Sequence, residues 1–249
     1  MSKSRLDQLM VERGLAESRA KAQALVLAGQ VFSGERRFDK PGQVVAADVP
    51  LEVRAAGGPY VSRGGIKLAH ALDHFGIDLA GVVALDVGAS TGGFTDLLLQ
   101  RDAKRVYAID VGHGQLDWRL RNDPRVVVLE KLNARHLTRD HVPEPVDLVV
   151  SDVSFISLEL ALPAALALAA PSALLIALIK PQFEVGKGQV GKGGVVRDPA
   201  LHQAVCARIS RWLVEKQGWC VRGVVPSPIT GPKGNREFLI AADRFSYRS

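Results

Sequence analysis

Apolar positions in this chain follow two different spacings. In the first 58 residues they recur three and four apart over short stretches, so Arg5-Leu-Asp-Gln-Leu-Met predicts an amphipathic helix ending near Gly14. Ser18 is placed to cap a second helix, Arg19 to Ala28, stopped by Gly29. Val31 to Phe38, with a Ser33-Gly34 turn, and Val44 to Val53 read as short strands. Gly57-Gly58-Pro59 then suits a linker.

From Val82 onward, short apolar runs alternate with helical spacing, which predicts an α/β fold with a parallel sheet covered on both faces. The expected strands are Val82 to Val87, Arg105 to Asp110, Val126 to Leu129, Val146 to Asp152, Ala173 to Lys180, Val221 to Val225 and Glu237 to Ala241. Helices are expected over Gly93 to Arg101, Leu158 to Ala170 and Pro199 to Lys216. The run Leu160 to Ile179 carries no charge over 20 residues, long enough to span a membrane. Pro163 and Pro171 interrupt it, so a buried helix followed by a buried strand is the better reading.

Composition narrows the class. The chain has 249 residues, 47% hydrophobic and 23% charged, which supports a packed core and rules out wholesale disorder. Its 32 Lys+Arg against 26 Asp+Glu leave a net +6, a balance that favours a polyanionic partner such as nucleic acid. Cys206 and Cys220 are its only cysteines, too few for a disulfide framework or a zinc site. The N-terminal MSKSRLDQLMVERG is charged and lacks a secretory apolar stretch, so a cytoplasmic location is expected.

The candidate chemistry gathers at expected strand ends. Leu85-Asp86-Val87-Gly88-Ala89-Ser90-Thr91-Gly92-Gly93-Phe94 runs from a strand into a helix, at the edge where doubly wound sheets bind nucleotides. Its spacing is not the GxGxxG of dinucleotide sites. An acid two residues before the first glycine suits a ligand with an amino-acid moiety: backbone N–H groups take its carboxylate and the acid takes its ammonium. Asp110, ending the second strand, is placed to accept from ribose hydroxyls. Together, Asp86, Gly88, Ser90, Thr91, Gly92, Gly93, Phe94 and Asp110 suggest an S-adenosylmethionine site, with a tight turn of small residues as the plainer alternative. Asp152 and Lys180 end adjacent strands and should share one mouth. Lys67 lies on a helix running into His70 and His74, and Glu237 opens the last strand; taken alone, these four are ordinary charged residues.

The segment Ala84 to Asp96, with Asp152, Lys180 and Glu237, resembles the FtsJ-type ribose 2′-O-methyltransferases. Their Lys-Asp-Lys-Glu tetrad falls on Lys67, Asp152, Lys180 and Glu237. The N-terminal module resembles the S4 RNA-binding domain. The combination, with the linker Tyr60-Val61-Ser62-Arg63-Gly64-Gly65-Ile66-Lys67-Leu68 and Lys180-Pro181-Gln182-Phe183-Glu184, is similar to the TlyA family over essentially the whole chain. That family's linker more often reads SRGAHKL, a departure at Gly65 and Ile66 that leaves Lys67 in place. The resemblance implies a small α+β RNA-binding domain over residues 1–58, a linker over 59–68 and a Rossmann-like, seven-stranded methyltransferase domain over 69–249. It also implies methyl transfer from S-adenosylmethionine to a ribose 2′-hydroxyl, of cytidine in ribosomal RNA, although family members often carry haemolysin names. The short extension before Arg5 implies a narrower target range, as in the family's shorter members.

The chemistry explains the tetrad. A ribose hydroxyl is too weakly acidic to ionise at neutral pH, so its proton must leave as the oxygen attacks in line. A lysine of ordinary pKa near 10.4 can accept that proton only where burial or a second cation lowers it. The resemblance makes Lys180 base or orienter and leaves open which lysine sheds a proton, since coupled groups titrate together. Asp152 is also counted among the donor-binding residues.

Arg5, Arg19, Lys21, Arg63, Lys187 and Lys192 are the candidate RNA-binding residues. Residues 1–58 hold nine Lys+Arg but also seven Asp+Glu, so the footprint there is one face. Gly186 to Gly193 nearly spells a P-loop but lacks the Ser/Thr for magnesium, and reads as a substrate loop. His70 and His74 lack a third ligand, so no metal is expected. Two rival readings remain: a non-catalytic RNA-binding or ribosome-assembly factor, and a membrane-active haemolysin. Oligomeric state is not legible.

Overall fold

The computed structural model describes residues 3–27, 29–33, 36–53 and 59–244. Ala28, Gly34 and the linker glycines Gly57 and Gly58 lie outside the described residues, as do the side chains of Arg36, Arg37 and Lys187. The chain divides into two compact units, Met1–Gly58 and Pro59–Ser249.

The first unit runs β1 (Lys3–Arg5), α1 (Leu6–Glu12), α2 (Arg19–Leu27), β2 (Val31–Ser33), β3 (Arg36–Arg37), β4 (Val44–Ala46) and β5 (Glu52–Val53). Leu6, Leu9 and Met10 of α1 meet Ala22 and Val26 of α2 and Phe38 in one small core. Two expectations change here. Lys3–Arg5 is a strand, paired antiparallel with β4. The expected strand Val44 to Val53 is two strands in separate sheets, because the chain turns at Ala46, whose carbonyl accepts from Val49 N–H at 3.1 Å, and Pro50 cannot donate to a ladder.

Asp7 organises this unit. Its buried carboxylate accepts from Arg5 Nε (3.1 Å) and Nη2 (3.0 Å), Gln23 Nε2 (2.8 Å) and Arg19 Nη2 (3.3 Å). The Arg5 guanidinium holds Asp7 far below the usual carboxylate range, with Gln23 and Arg19 assisting against the opposing effect of burial. A depressed folded pKa adds stability above the unfolded value, near 3.9, and that stability is lost as pH falls below it. Asp7→Asn should therefore raise hydrogen exchange across α1 at neutral pH and flatten its acid dependence below about pH 4; unchanged protection would refute this role.

The second unit runs α3 (Gly64–Phe75), β6 (Val83–Val87), α4 (Gly93–Gln100), β7 (Arg105–Asp110), α5 (Trp118–Arg121), β8 (Val126–Glu130), β9 (Val146–Ser151), α6 (Leu158–Ala161), α7 (Pro163–Ala167), β10 (Ala169–Ile179), α8 (Pro181–Glu184), α9 (Pro199–Gln217), β11 (Trp219–Pro226) and β12 (Phe238–Arg244). Residues 59–68 belong to this unit, and their last five form the start of α3. The seven strands form one sheet in the order β11-β12-β10-β9-β6-β7-β8. Alternate residues face opposite sides, as a period of two requires. Leu85, Val149 and Leu175 pack in one core with Leu158, Ala165 and Ile209; Ala84, Leu148 and Ile176 pack in the other with Leu68 and Leu97.

The sheet is not wholly parallel, as the alternating pattern had suggested. β12 runs antiparallel to both neighbours, because only residues 227–237, with no crossover helix, join it to β11. The expected helix Leu158 to Ala170 is two short helices, since Pro163 starts a new first turn and cannot continue the old one. β10 begins at Ala169, ahead of the expected Ala173, and carries Pro171 through a register shift where the missing N–H is not needed. Among the described residues, no helix is long and apolar enough to cross a membrane.

Candidate functional site

After β8 the chain returns to the other side of β6, so strand order reverses between β6 and β9. Ligands of open α/β sheets bind at such a switch point, outside the carboxyl ends of the strands. The loop after β6 and the segment after β9 meet there: Asp152 N–H donates to Val87 carbonyl at 3.2 Å. A β-carbon on Gly88 would lie 3.2 Å from Val153 Cα.

The β6–α4 loop has an unusual backbone. Gly88 and Gly92 sit at φ +87° and +97°, and Ser90 at +49°, the left-handed region that favours glycine. Ser90 N–H donates to Asp110 Oδ2 (2.8 Å), and Gly112 N–H to Asp110 Oδ1 (2.7 Å), so Asp110 pins two loops. Thr91 is exposed and its carbonyl accepts from Asp117 N–H (3.1 Å). Gly93 begins α4, while Phe94 is 3% exposed and belongs to the core beside α3 rather than to an open surface.

Asp86, the penultimate residue of β6, is fully buried. Its Oδ2 accepts from Thr95 Oγ1 at 2.7 Å, and its Oδ1 has no hydrogen-bond partner. Burial pushes this carboxyl up to about 7, against the Thr95 hydrogen bond and with help from the charges of Asp152 and Asp110. A buried acceptor without a donor, beside a loop of left-handed residues, fits a ligand that brings a cationic amine and approaches the backbone closely.

Four charged side chains, distant in the sequence, converge beside this loop. Lys67 Nζ donates to Glu237 Oε2 at 2.6 Å and lies 3.9 Å from Asp152 Oδ2; Lys180 Nζ lies 2.5 Å from Asp152 Oδ1. Asp152 thus stands between the two amines. Lys67, Lys180 and Glu237 are buried and Asp152 is partly exposed, which leaves it facing the mouth. Glu237 lies just before β12, and a β-carbon on Gly231 would fall 2.0 Å from its Oε1, so glycine is needed there to leave the carboxylate room.

Sequence reading passed over two neighbours. Ser154 Oγ accepts from Lys180 Nζ at 2.8 Å. Phe155 has φ +64°, is 88% exposed and lies against the Phe183 ring with centroids 4.8 Å apart. A bulky residue in the left-handed region, held open to solvent, is an outlier in both respects. No spacing signals either residue, because side chains stop alternating once the strand ends.

The candidate RNA-binding residues are spread over both units. Arg5 and Arg19 share Asp7, with side chains 46% and 56% exposed, so each keeps an open face. Lys21, Arg63 and Lys192 are exposed. Among the described residues no group of three or more His, Cys, Asp or Glu side chains is arranged to hold a metal ion.

The switch-point glycine loop marks a Rossmann-like fold, and the family match below makes it a methyltransferase. The FtsJ-like methyltransferase model matches residues 60–244, and the S4 domain model matches residues 4–48. The 16S/23S rRNA (cytidine-2′-O)-methyltransferase TlyA of Mycobacterium tuberculosis is 49% identical over 96% of this chain and 89% of its own. Hemolysin A of Brachyspira hyodysenteriae is 42% identical over 94% and 98%. A solved structure from Streptococcus thermophilus that carries a haemolysin name superposes with a TM-score of 0.76 at 41% identity, covering 99% of this chain and 90% of that one. The chain belongs to the FtsJ-like methyltransferases and, within them, to the S4-bearing TlyA family.

Proposed function

We propose that this protein methylates the ribose 2′-hydroxyl of a cytidine in ribosomal RNA, working in the cytoplasm on ribosomal subunits. The observation that carries this reading is the convergence of Lys67, Asp152, Lys180 and Glu237 at the sheet's switch point. When bound, S-adenosylmethionine supplies a methyl carbon made electrophilic by its sulfonium, so no metal is required for activation. Asp86 Oδ1 would accept from the donor's ammonium, and the loop Gly88 to Gly93 would take its carboxylate. Asp110 would reach a ribose hydroxyl with the lone pairs its backbone donors leave open.

The tetrad then acts on the incoming hydroxyl. Asp152 and Ser154 hold the Lys180 amine so that it meets the 2′-oxygen and stabilises negative charge as it develops there. Glu237 and Asp152 fix Lys67 beside it. The hydroxyl proton passes to the Lys180–Asp152 pair as the 2′-oxygen takes the methyl group, whose bond to sulfur would break and leave a neutral thioether. Phe155 offers an aromatic face at the mouth on which an unstacked base can rest. Arg5, Arg19, Lys21, Arg63 and Lys192 would contact phosphates, which orient the RNA without reading its sequence.

Tritiated donor incubated with ribosomal subunits tests the reaction. Label should enter RNA and survive mild alkali as a stable methyl ether, in an alkali-resistant dinucleotide because a methylated 2′-oxygen cannot attack the adjoining phosphodiester. No transfer, or label lost as from an ester, would reject the reading; leakage of liposomes by the pure protein would favour the haemolysin name instead.

Donor binding should also move a proton. Free Asp86 holds its proton up to about pH 7, whereas an ammonium partner favours the carboxylate, so binding below that pH releases a proton. Donor affinity should fall by up to about tenfold per pH unit below 7. Calorimetry in buffers of different ionisation enthalpy checks this; a pH-independent affinity without proton release would remove Asp86 from the donor site.

A further inference from the structure

We propose that Glu184 is a positioning residue for the Lys180 amine, an inference that rests on the reading of Lys180 above. The parallel ladder between β9 and β10 ends at the pair Ser151 and Ala177. Beyond it, the segments 152–158 and 180–184 are joined by side chains. Lys180 bonds Asp152 and Ser154 at one end, the rings of Phe183 and Phe155 meet in the middle, and Glu184 closes the other end.

Glu184 is more deeply buried than Lys180 or Asp152 at the other end. Its side chain is only 2% exposed. Oε1 accepts from Leu158 N–H (2.8 Å), and Oε2 accepts from Ser157 Oγ (2.8 Å) and Arg208 Nη2 (2.8 Å). Arg208 Nη2 also donates to the Glu184 carbonyl (2.9 Å), and Nη1 to Glu159 Oε2 (2.5 Å), so one guanidinium on α9 braces α8 and α6 together. Hydrogen bonds to charged groups in such surroundings are the strong ones.

This clamp bears on Lys180 through geometry. Lys180 and Glu184 begin and end a single turn: the Lys180 carbonyl accepts from Phe183 N–H at 2.9 Å. Ser154 lies three residues before Ser157, on the strand of chain that Glu184 holds. Fixing Glu184 therefore fixes the backbone on both sides of the Lys180–Ser154 contact. Without it, that contact would depend on the amine it is supposed to orient, and the amine would trade its hydrogen bonds for mobility. Glu184 touches no reacting atom.

Methyl transfer to ribosomal subunits by full-length variants, with tritiated S-adenosylmethionine, tests this. Glu184→Ala should lower kcat on the order of 10- to 100-fold, the range a displacement of about 1 Å produces. Donor KM should be unchanged, and the pH profile of kcat/KM should shift. Glu184→Gln keeps an acceptor for Leu158 N–H and should restore part of kcat. If Glu184→Ala does not fold, Arg208→Ala, which leaves the Ser157 and Leu158 bonds in place, should show a smaller loss with the same pH shift. Wild-type kcat and pH profile in the folded variants, with only melting temperature lowered, would overturn the inference. Lys180→Ala, run alongside, separates the two levels. If it alone is inactive, the positioning role fails; if it retains full activity, the reading of Lys180 fails and the inference with it.

Discussion

Replacing Lys180 with alanine is expected to cut methyl transfer on the order of 10³-fold while leaving donor affinity unchanged. Lys180 is 8% exposed and its amine is held by Asp152 at 2.5 Å and Ser154 at 2.8 Å, so its loss removes a positioned donor from the mouth and leaves Asp152 with Lys67 alone. Lys180→Arg distinguishes the two chemical roles. A guanidinium stays charged at any working pH, so it can orient the oxygen but cannot take its proton. Partial activity in that variant would assign Lys180 as orienter, and complete loss in a folded protein would favour proton transfer. Single-turnover rates with ribosomal subunits measure both; wild-type rates in Lys180→Ala would refute any role.

The second large effect is expected at Gly92. Its φ of +97° is costly for a β-branched residue, and a β-carbon there would lie 2.3 Å from Leu120 Cδ1 and 2.8 Å from Leu116 Cδ1. Both leucines are buried, so they cannot swing aside freely. Gly92→Val should add backbone strain of about 1–3 kcal/mol and overpacking of about 1–3 kcal/mol. The loop can relieve both only by leaving its present path, and with it the bond from Asp117 N–H to the Thr91 carbonyl. Donor affinity should fall at least about 30-fold by calorimetry. Undiminished affinity would mean that this loop does not bind the donor.

The cluster of four charged residues was legible in unequal parts. Asp152 and Lys180 end neighbouring strands, so strand adjacency alone brings them to one mouth, and the structure places them 2.5 Å apart. No local pattern joins Lys67 to Glu237 across 170 residues; only the family resemblance did. The seven strands were visible because buried sheets produce continuous apolar runs. The antiparallel course of β12 was not, since strand direction depends on a connection whose lack of helix is a weak signal. Pro171 read as a stop although β10 continues through it, because tertiary packing tolerates proline at a register shift. Ser154, Phe155 and Asp7 were missed for one shared reason: each acts through partners that only folding supplies.

Nucleoside mass spectrometry of ribosomal RNA from treated subunits tests the central claim most directly. Unmodified subunits incubated with wild-type protein and S-adenosylmethionine should yield a methylated cytidine whose methyl stays with the ribose fragment on collision. A methyl on the base fragment, or no methylated nucleoside from a folded protein that binds the donor, would contradict it.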